Sequence, residues 1–236
     1  PAVLGELDTL RQVVSGLSLA RYGDGELKMA ARDVAIKCQV TDPVLCRRLR
    51  EILHESGECL VGIPNIRSDT PKAEFWGKYM EYAGLFSDRS YVSSFVTRPD
   101  SAPWVNVDEY WALLESLWGD QDVTLVRGSG LSLNSADLVC ARTITEIIAP
   151  EKDAWGQYET LLERIGTPKR CILCLGPTAT VMAVDLCAKG IHAIDAGHAG
   201  LFLRKHRRGQ PMWSPKQERD AAAYAEATKK LVGEVA

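Results

Sequence analysis

Short apolar runs alternate with amphipathic segments along almost the whole chain. The apolar runs are rich in valine, isoleucine and leucine, which is typical of buried strands. They predict strands at 18–22, 59–64, 90–97, 122–126, 143–150, 170–176 and 191–197. Apolar residues recur at helical spacing in other segments, and this predicts helices at 2–15, 43–56, 70–84, 106–119, 153–166 and 181–190, with one or two helical turns at 135–141. Strands that alternate with helices indicate a layered α/β domain.

The clearest unit of this pattern lies at 170–197. A strand runs into a glycine turn, a helix follows and stops at Gly190, and a second strand comes directly after it. Two strands joined through a helix in this way are expected to be parallel. The fingerprint G-x-G-x-x-G is absent from the turn, so ordinary NAD binding is not expected.

Composition narrows the class of protein. The chain has 236 residues, of which 46% are hydrophobic and 25% charged, as in a soluble globular protein. The net charge of −3 gives no reason to expect a nucleic-acid partner, and no apolar run approaches the roughly 18 residues of a transmembrane segment. We expect a single domain over 1–236 that ends in a surface helix within 210–236. A chain that starts at Pro1 is consistent with one module of a longer protein.

The cysteine pattern argues against a disulfide framework. Seven cysteines are present, an odd number, and most lie inside apolar segments, which favours a reducing compartment. Cys171 and Cys174 have the C-x-x-C spacing of redox and metal sites. They fall within a predicted buried strand, so we interpret them as core residues.

Polar and small residues lie at or just after the carboxyl ends of five of the predicted strands, where parallel sheets bind ligands. They are Arg21-Tyr22-Gly23-Asp24-Gly25-Glu26, Arg98, Arg127-Gly128-Ser129-Gly130, Gly176-Pro177-Thr178-Ala179-Thr180 and Asp195-Ala196-Gly197-His198. Arginines, small-residue loops, acids and a histidine at one edge of a sheet suit a phosphate-bearing ligand with a divalent metal.

Each of these groups has a physical reason to bind such a ligand. A glycine turn before a helix, as at 176–178, presents main-chain N–H groups and the helix dipole to phosphate. Asp24 and Glu26 could hold a divalent ion that completes its shell with phosphate oxygens and water. Arginine holds phosphate in bidentate fashion. Asp195 lies where dinucleotide folds place an acid against a ribose hydroxyl.

Each group also has a purely structural explanation. Asp24-Gly25 could be a turn, with Glu26 favoured in the first turn of a helix by its dipole. The residues at 176–178 could be an ordinary strand-to-helix turn, and His198 beside a glycine could be structural. The basic run 204–208 is typical of a solvated face. The functional hypothesis therefore depends on several groups meeting at one edge.

Four segments together resemble a known family. They are "RYGDGE" at 21–26, "SSFVTRP" at 93–99, "LVRGSG" with "NSADL" at 125–138, and "LGPTATVMAVDLCAKGIHAIDAGH" at 175–198. Their order and spacing are similar to those of the bacterial GT-D type glycosyltransferases, whose hallmark is R-[FY]-G-D-G-E. The resemblance covers about 17–200.

The resemblance implies a Rossmann-like α/β domain, with a mostly parallel sheet flanked by helices. It implies a hexosyltransferase-like enzyme that uses a nucleotide-sugar donor, typically a UDP-sugar, with Mn²⁺ or Mg²⁺ bridging Asp24, Glu26 and the diphosphate. We expect the donor to bind Arg21, Gly23, Gly25, Arg98, Arg127, Gly176, Pro177 and Thr178. The candidates for a catalytic base are Asp195, His198 and Asp137. The expected setting is surface-polysaccharide assembly in the bacterial cytoplasm, on a glycan or glycoprotein acceptor, with membrane association and a homodimer left open.

Two departures from the family pattern concern the acceptor side. Members of the family often carry Glu-Gly where this chain has Arg127-Gly128, and an acidic, aromatic stretch where it has Gly200, Phe202 and Arg204. Two alternatives therefore stay open. One is a Rossmann-like enzyme that acts on another phosphorylated metabolite, and the other is a non-catalytic module that binds a nucleotide sugar.

Overall fold

A parallel sheet forms the centre of the computed structural model, which describes residues 1–55, 57–67, 70, 75, 77–102, 106–128, 130 and 132–211. The eight strands of the described residues are β1 Val3–Leu4, β2 Leu19–Arg21, β3 Leu60–Ile63, β4 Tyr91–Ser93, β5 Asp122–Arg127, β6 Thr143–Ile148, β7 Arg170–Cys174 and β8 His192–Asp195. Their order in the sheet is β1-β4-β3-β2-β8-β7-β5-β6, and every pairing is parallel. The α/β fold predicted from the sequence is confirmed.

Helices cover both faces of this sheet. The α-helices are α1 Glu6–Val14, α2 Asp24–Arg32, α3 Pro43–Ile52, α4 Val107–Ser116, α5 Tyr158–Ile165, α6 Pro177–Ala188 and α7 Ala199–Arg207. Short 3₁₀ helices lie at Lys78–Leu85, Ser94–Thr97, Pro99–Ser101, Ser135–Asp137 and Ala154–Gln157.

Alternating strand residues supply the two halves of the core. Leu19 and Ile172 pack with α1, α4 and α7, whereas their neighbours Ala20 and Leu173 face the helices of the opposite layer. This follows from the two-residue period of a strand, which sends successive side chains to opposite faces. A sheet buried on both faces explains why the strands read as continuous apolar runs.

The strand order reverses between β2 and β8. β3 and then β4 lie on one side of β2, and β8, β7, β5 and β6 lie in that order on its other side. Loops that leave the carboxyl ends of strands diverge at such a reversal and open a crevice between them. The sheet topology therefore places a cleft beside the ends of β2, β7 and β8.

The structure confirms the βαβ unit and its parallel register, in which Arg170 pairs with His192. Its helix begins at Pro177, four residues before the predicted start at 181, because the proline is favoured in the first helical turn. Cys171 and Cys174 are both buried in β7, as expected of core residues.

Several predicted boundaries are wrong. The strand predicted at 90–97 stops at Ser93, whose side chain accepts a hydrogen bond from the N–H of Phe95 and starts a 3₁₀ turn. The helix predicted at 2–15 is preceded by the two-residue β1, and α7 was not predicted. Residues 71–74 and 76 of the helix predicted at 70–84 lie outside the described residues, and 78–85 is 3₁₀. Residues 212–236 of the predicted C-terminal helix also lie outside them, and Gln210 and Pro211 are not helical.

Candidate active site

A cleft of about 140 Å³ opens at the carboxyl edge of the sheet, where the strand order reverses. Segments following β2, β4, β5, β6, β7 and β8 all contribute to its lining. The predicted site residues in this lining are Arg21, Gly23, Asp24, Glu26, Arg98, Gly176, Asp195 and His198. The structure therefore brings the segment after β2 and the turns after β7 and β8 together.

Arg21 forms the floor of the cleft rather than an exposed phosphate ligand. Its side chain is only 10% exposed. Nε donates to the main-chain oxygen of Asp195 at 2.9 Å, and Nη1 donates to that of Ser94 at 3.0 Å. Arg21 thus ties the end of β2 to the segments that follow β8 and β4. Such contacts position the surrounding loops.

Asp195 is buried beside this arginine. Oδ1 lies 3.5 Å from Nη2 of Arg21 and accepts the N–H of Gly197 at 3.0 Å, and Oδ2 lies 3.4 Å from the hydroxyl of Thr180. Burial raises the pKa of Asp195, and the charge of Arg21 opposes that rise. Both oxygens therefore face protein groups, and the carboxyl group belongs to the internal structure of the site.

The two acids of the first motif lie at the start of α2. Asp24 is exposed, and Glu26 is half-buried two residues later. A carboxylate oxygen of Glu26 accepts the N–H of Gly23 at 2.9 Å, which satisfies one of the unpaired donors at the helix start. Burial, followed by repulsion from Asp195, raises the pKa of Glu26 to about 7. Asp24 contributes to the raised pKa of Tyr79, about 12, whose main cause is burial.

Glu26→Gln is expected to stabilise the metal-free protein at pH 8. Above the folded-state pKa of about 7 the half-buried carboxylate is charged and costs stability, whereas below its ordinary pKa of 4.5 it is neutral in both folded and unfolded states. We expect a gain of about 1–3 kcal/mol in the free energy of unfolding at pH 8 and little change at pH 4, measured by urea titration. Glu163→Gln, on an exposed acid of α5, is the matched control. An equal gain at both pH values would contradict the assigned cause.

The late glycine turn reaches the cleft through Gly176 alone. Gly176 has φ +58°, and a Cβ there would lie 3.2 Å from Sγ of Cys38. Thr178 is fully buried, and its hydroxyl lies 3.2 Å from Oε1 of Gln39. The loop between α2 and α3 therefore covers the first turn of α6. Of the phosphate-binding turn predicted at 176–178, only Gly176 therefore lines the cleft.

Arg98 supplies a positive charge at the cleft, and His198 supplies an imidazole. Arg98 donates from Nε and Nη2 to the two oxygens of the buried Asp100, at 2.9 and 3.1 Å, and its guanidinium lies over the ring of Phe202. Partial burial, with the charges of Arg21 and Arg98, lowers the pKa of His198. The imidazole is therefore neutral at pH 7 and able to accept a proton.

Five predicted site residues are absent from the lining of the cleft: Gly25, Arg127, Pro177, Thr178 and Asp137. Arg127 forms an ion pair with Glu146 of the adjacent β6. Asp137 is buried, accepts the N–H of Asn134, and is paired with Arg204 of α7.

The positions that depart from the family pattern have packing roles. A Cβ on Gly200 would lie 2.6 Å from the main-chain nitrogen of Leu133, so α7 packs directly on that loop. Phe202 is buried beneath Arg98, and Arg204 donates to the main-chain oxygen of Ser132 as well as to Asp137. These contacts hold the wall of the cleft in place.

Sequence reasoning missed part of the lining. Cys38, Ser94, Phe95, Pro150 and Glu151 all line the cleft. Ser94 and Phe95 lie inside "SSFVTRP", one of the segments that resemble the family, and this could have identified them as residues of the site. Pro150 and Glu151 follow β6 directly, so the rule that ligands bind at carboxyl ends of strands also applies to them.

The described residues hold no group of three or more His, Cys, Asp or Glu side chains arranged to bind a metal ion. Two carboxylates separated by one residue at the edge of a cleft still fit Mg²⁺ or Mn²⁺. Such ions are commonly held by one or two carboxylates together with substrate phosphates and water. The donor set of Asp24 and Glu26 therefore suits an ion that arrives with a phosphorylated ligand.

The cleft can be compared with those of known proteins. The family model described as "Glycosyltransferase GT-D fold" matches residues 19–212. This chain belongs to the GT-D glycosyltransferase family. The match begins at β2 and extends beyond α7, so it contains every segment named above as lining the cleft.

Curated relatives and solved structures agree with the family assignment. The chain is 33% identical to "Probable glycosyl transferase Gly" of Streptococcus gordonii over 209 residues, 78% of this chain and 30% of the relative. It is 34% identical to "Glycosyltransferase GlyD" of Streptococcus pneumoniae over 218 residues, 83% of this chain and 26% of the relative. The chain thus spans less than a third of the length of these relatives.

Two solved structures have the same architecture. One is described as "The highly conserved domain of unknown function 1792 has a distinct glycosyltransferase fold", with a TM-score of 0.78, 29% identity, and coverage of 89% of this chain and 82% of that one. The other, "A New Glycosyltransferase (DUF1792) from Streptococcus sanguinis", has a TM-score of 0.74 at 30% identity, with 88% and 86% coverage. The chain therefore carries a glycosyltransferase domain of the GT-D fold. Within the described residues, no helix has both the length and the apolar character needed to cross a membrane.

Proposed function

We propose that this domain transfers a sugar from a nucleotide-sugar donor, a UDP-sugar in the first instance, with Mn²⁺ or Mg²⁺ bound at Asp24 and Glu26. The observation that carries the proposal is the meeting of these acids with Gly176 and His198 in one cleft at the reversal of strand order. A pyrophosphate and a divalent ion need carboxylates, main-chain donors and positive side chains in one place, and this cleft offers all three.

The divalent ion would offset the negative charge that develops on the departing nucleoside diphosphate. Arg98 acts in the same direction, because Asp100 holds its guanidinium at the rim of the cleft. Arg21 and Asp195 lie below the ligand and hold the loops after β2, β4 and β8 in fixed positions relative to one another. Arg127 is directed to Glu146 instead, so we assign it no role in the donor site.

His198 is the best placed of the three candidates for a catalytic base. Asp195 is buried against Arg21, and Asp137 is paired with Arg204 outside the cleft. His198 is exposed to the cleft, and its lowered pKa keeps it unprotonated at neutral pH, as general-base catalysis requires. In an inverting reaction it would take the proton of the acceptor hydroxyl.

The proposals for the acceptor and the cellular setting are based on membership of the family and not on the geometry of the cleft. We propose a glycan or glycoprotein acceptor in bacterial surface-polysaccharide assembly on the cytoplasmic side. The relatives whose names describe glycosyl transferases come from streptococci, which supports a bacterial setting. The homodimer stays a prediction.

Thermal unfolding tests the proposed donor. UDP together with Mn²⁺ is expected to raise the melting temperature by several degrees, and each alone by less, because ion and diphosphate share ligands. GDP is measured in parallel to test whether the site prefers uracil to guanine. If neither nucleotide shifts the transition with Mn²⁺ present, the nucleotide-sugar proposal is wrong.

Turnover separates an enzyme from a binding module. Slow release of UDP from a panel of UDP-sugars in the presence of Mn²⁺ is expected, with faster release when the acceptor is present. Binding without turnover of any donor would favour the non-catalytic module.

A further inference from the structure

Glu151 lines the cleft after β6, which lies six strands away from β4, the strand that precedes Arg98. It follows β6, the edge strand of the sheet, and lines the same cleft as the acids at the start of α2. Its side chain is exposed, and no hydrogen bond or ion pair engages its carboxylate within the described part of the chain. A carboxylate in this position is available to a ligand.

The wall that carries Glu151 is held in a fixed place. A Cβ on Gly128 would lie 2.8 Å from the main-chain oxygen of Pro150 and 3.4 Å from Cα of Glu151, so the two loops are in direct contact. The N–H of Ala149 also donates to the main-chain oxygen of Arg127 at 2.9 Å. The loop after β6 is therefore positioned by β5, which favours a preorganised contact with a ligand.

Charge is distributed unevenly along the cleft. Arg98 follows β4, and the proposed cation site follows β2. The segments at and after the ends of β5, β6 and β7 contribute no positive side chain to the described lining, which there consists of Gly128, Ser132, Pro150, Glu151, Ala154, Cys174, Leu175 and Gly176. A diphosphate would be repelled by this carboxylate, whereas an uncharged group with hydroxyl donors would be attracted to it.

The other acids that line the cleft are already assigned, since Asp24 and Glu26 form the proposed cation site and Asp195 is engaged within the protein. Asp195 follows the βαβ unit, where dinucleotide-binding folds use an acid to bind ribose. Here its oxygens face Arg21, Gly197 and Thr180 inside the protein. Glu151, which follows β6, lines the cleft with carboxylate oxygens that are open to a ligand.

We infer that Glu151 binds the vicinal hydroxyl groups of the donor ribose. The diphosphate then lies toward Asp24 and Arg98, and the nucleoside lies against Pro150, Ala154 and Leu175. This inference rests on the proposed function, because it assumes that the cleft binds a nucleoside diphosphate. The transferred sugar also carries hydroxyl groups, so the test must separate the two sources.

Calorimetry with deoxynucleotides tests the inference. With saturating Mn²⁺, the unmodified protein is expected to bind UDP about tenfold or more tightly than 2′-deoxy-UDP or 3′-deoxy-UDP, since a hydrogen bond to a charged acceptor is lost. Glu151→Ala should weaken UDP binding by a similar factor and remove most of that preference. Glu163→Ala, at an exposed acid of α5, should keep the preference of the unmodified protein.

The possible outcomes have distinct meanings. A full ribose preference in Glu151→Ala overturns the inference and leaves the proposed function intact. A loss of affinity for a UDP-sugar but not for UDP assigns Glu151 to the transferred sugar and also overturns it. GDP and its deoxy forms are measured in parallel, and if neither UDP nor GDP binds with Mn²⁺, the proposed function itself fails.

Discussion

Asp24→Asn is expected to lower sugar transfer by about 100-fold or more and to abolish the joint effect of UDP and Mn²⁺ on the melting temperature. Asn keeps the size of the side chain at the start of α2 but removes its charge, and the exposed position tolerates the change. The loss should resemble the removal of one group that stabilises charge in the transition state. Radiolabelled sugar transfer and thermal unfolding provide the two measurements.

Asp88→Asn is the matched control for Asp24→Asn. Asp88 is an exposed acid in the turn before β4, and it does not line the cleft. Its replacement should leave both transfer and the joint effect of UDP and Mn²⁺ unchanged. If Asp24→Asn retained the full activity of the unmodified protein, the cation could not lie at this carboxylate.

Gly197→Ala is expected to lower the free energy of unfolding by about 2–4 kcal/mol and to impair donor binding at the same time. The residue has φ +46°, a conformation that side chains with a Cβ rarely adopt. The added Cβ would also lie within 1.7 Å of Nη2 of Arg21. Arg21 is buried, so it would have to leave Asp195 and Ser94 to make room.

Gly166→Ala isolates the effect of the backbone. Gly166 also has a positive φ of +62°, but nothing lies within 4 Å of the position its Cβ would take. Its ψ of −129° adds to the strain, so we expect a loss of about 1–3 kcal/mol there and unchanged UDP binding. Urea titration and calorimetry measure the two effects. If the two variants lost the same stability and bound UDP equally well, the contact between Gly197 and Arg21 would have no role in the site.

Local signals made part of the site predictable. Gly23-Asp24-Gly25-Glu26 directly follows an apolar run, and parallel strands direct such residues to one edge. The βαβ unit from Arg170 to Asp195 could be recognised because its strands and helix have the expected lengths and are separated by glycines at 176 and 190. These features depend on neighbours in the sequence, so they can be read without the structure.

Other features depend on contacts between distant segments. Thr178 is hidden because Gln39, which lies 139 residues earlier in the chain, covers the turn. Arg127 is directed away from the cleft because β5 pairs with β6 in a register that brings Glu146 within reach. No local pattern shows which way a side chain at a strand end points, so both residues were assigned to the donor site.

The floor of the cleft is a third feature of this kind. The sequence places an arginine before the paired acids, which suggests that it either holds the acids in position or touches the phosphates. In the structure, Arg21 lies below Gly197 and donates to main-chain oxygens after β4 and β8. Its role as a positioning residue follows from the order of strands in the sheet.

A crystal soaked with UDP and Mn²⁺ tests the central claim most directly, through anomalous scattering at the manganese edge. We expect a single strong anomalous peak that is coordinated by Asp24 and Glu26 and by oxygens of the diphosphate, with the phosphates near Gly176. An anomalous peak elsewhere on the molecule, or a bound nucleotide whose diphosphate makes no contact with the segment 23–26, would contradict the claim.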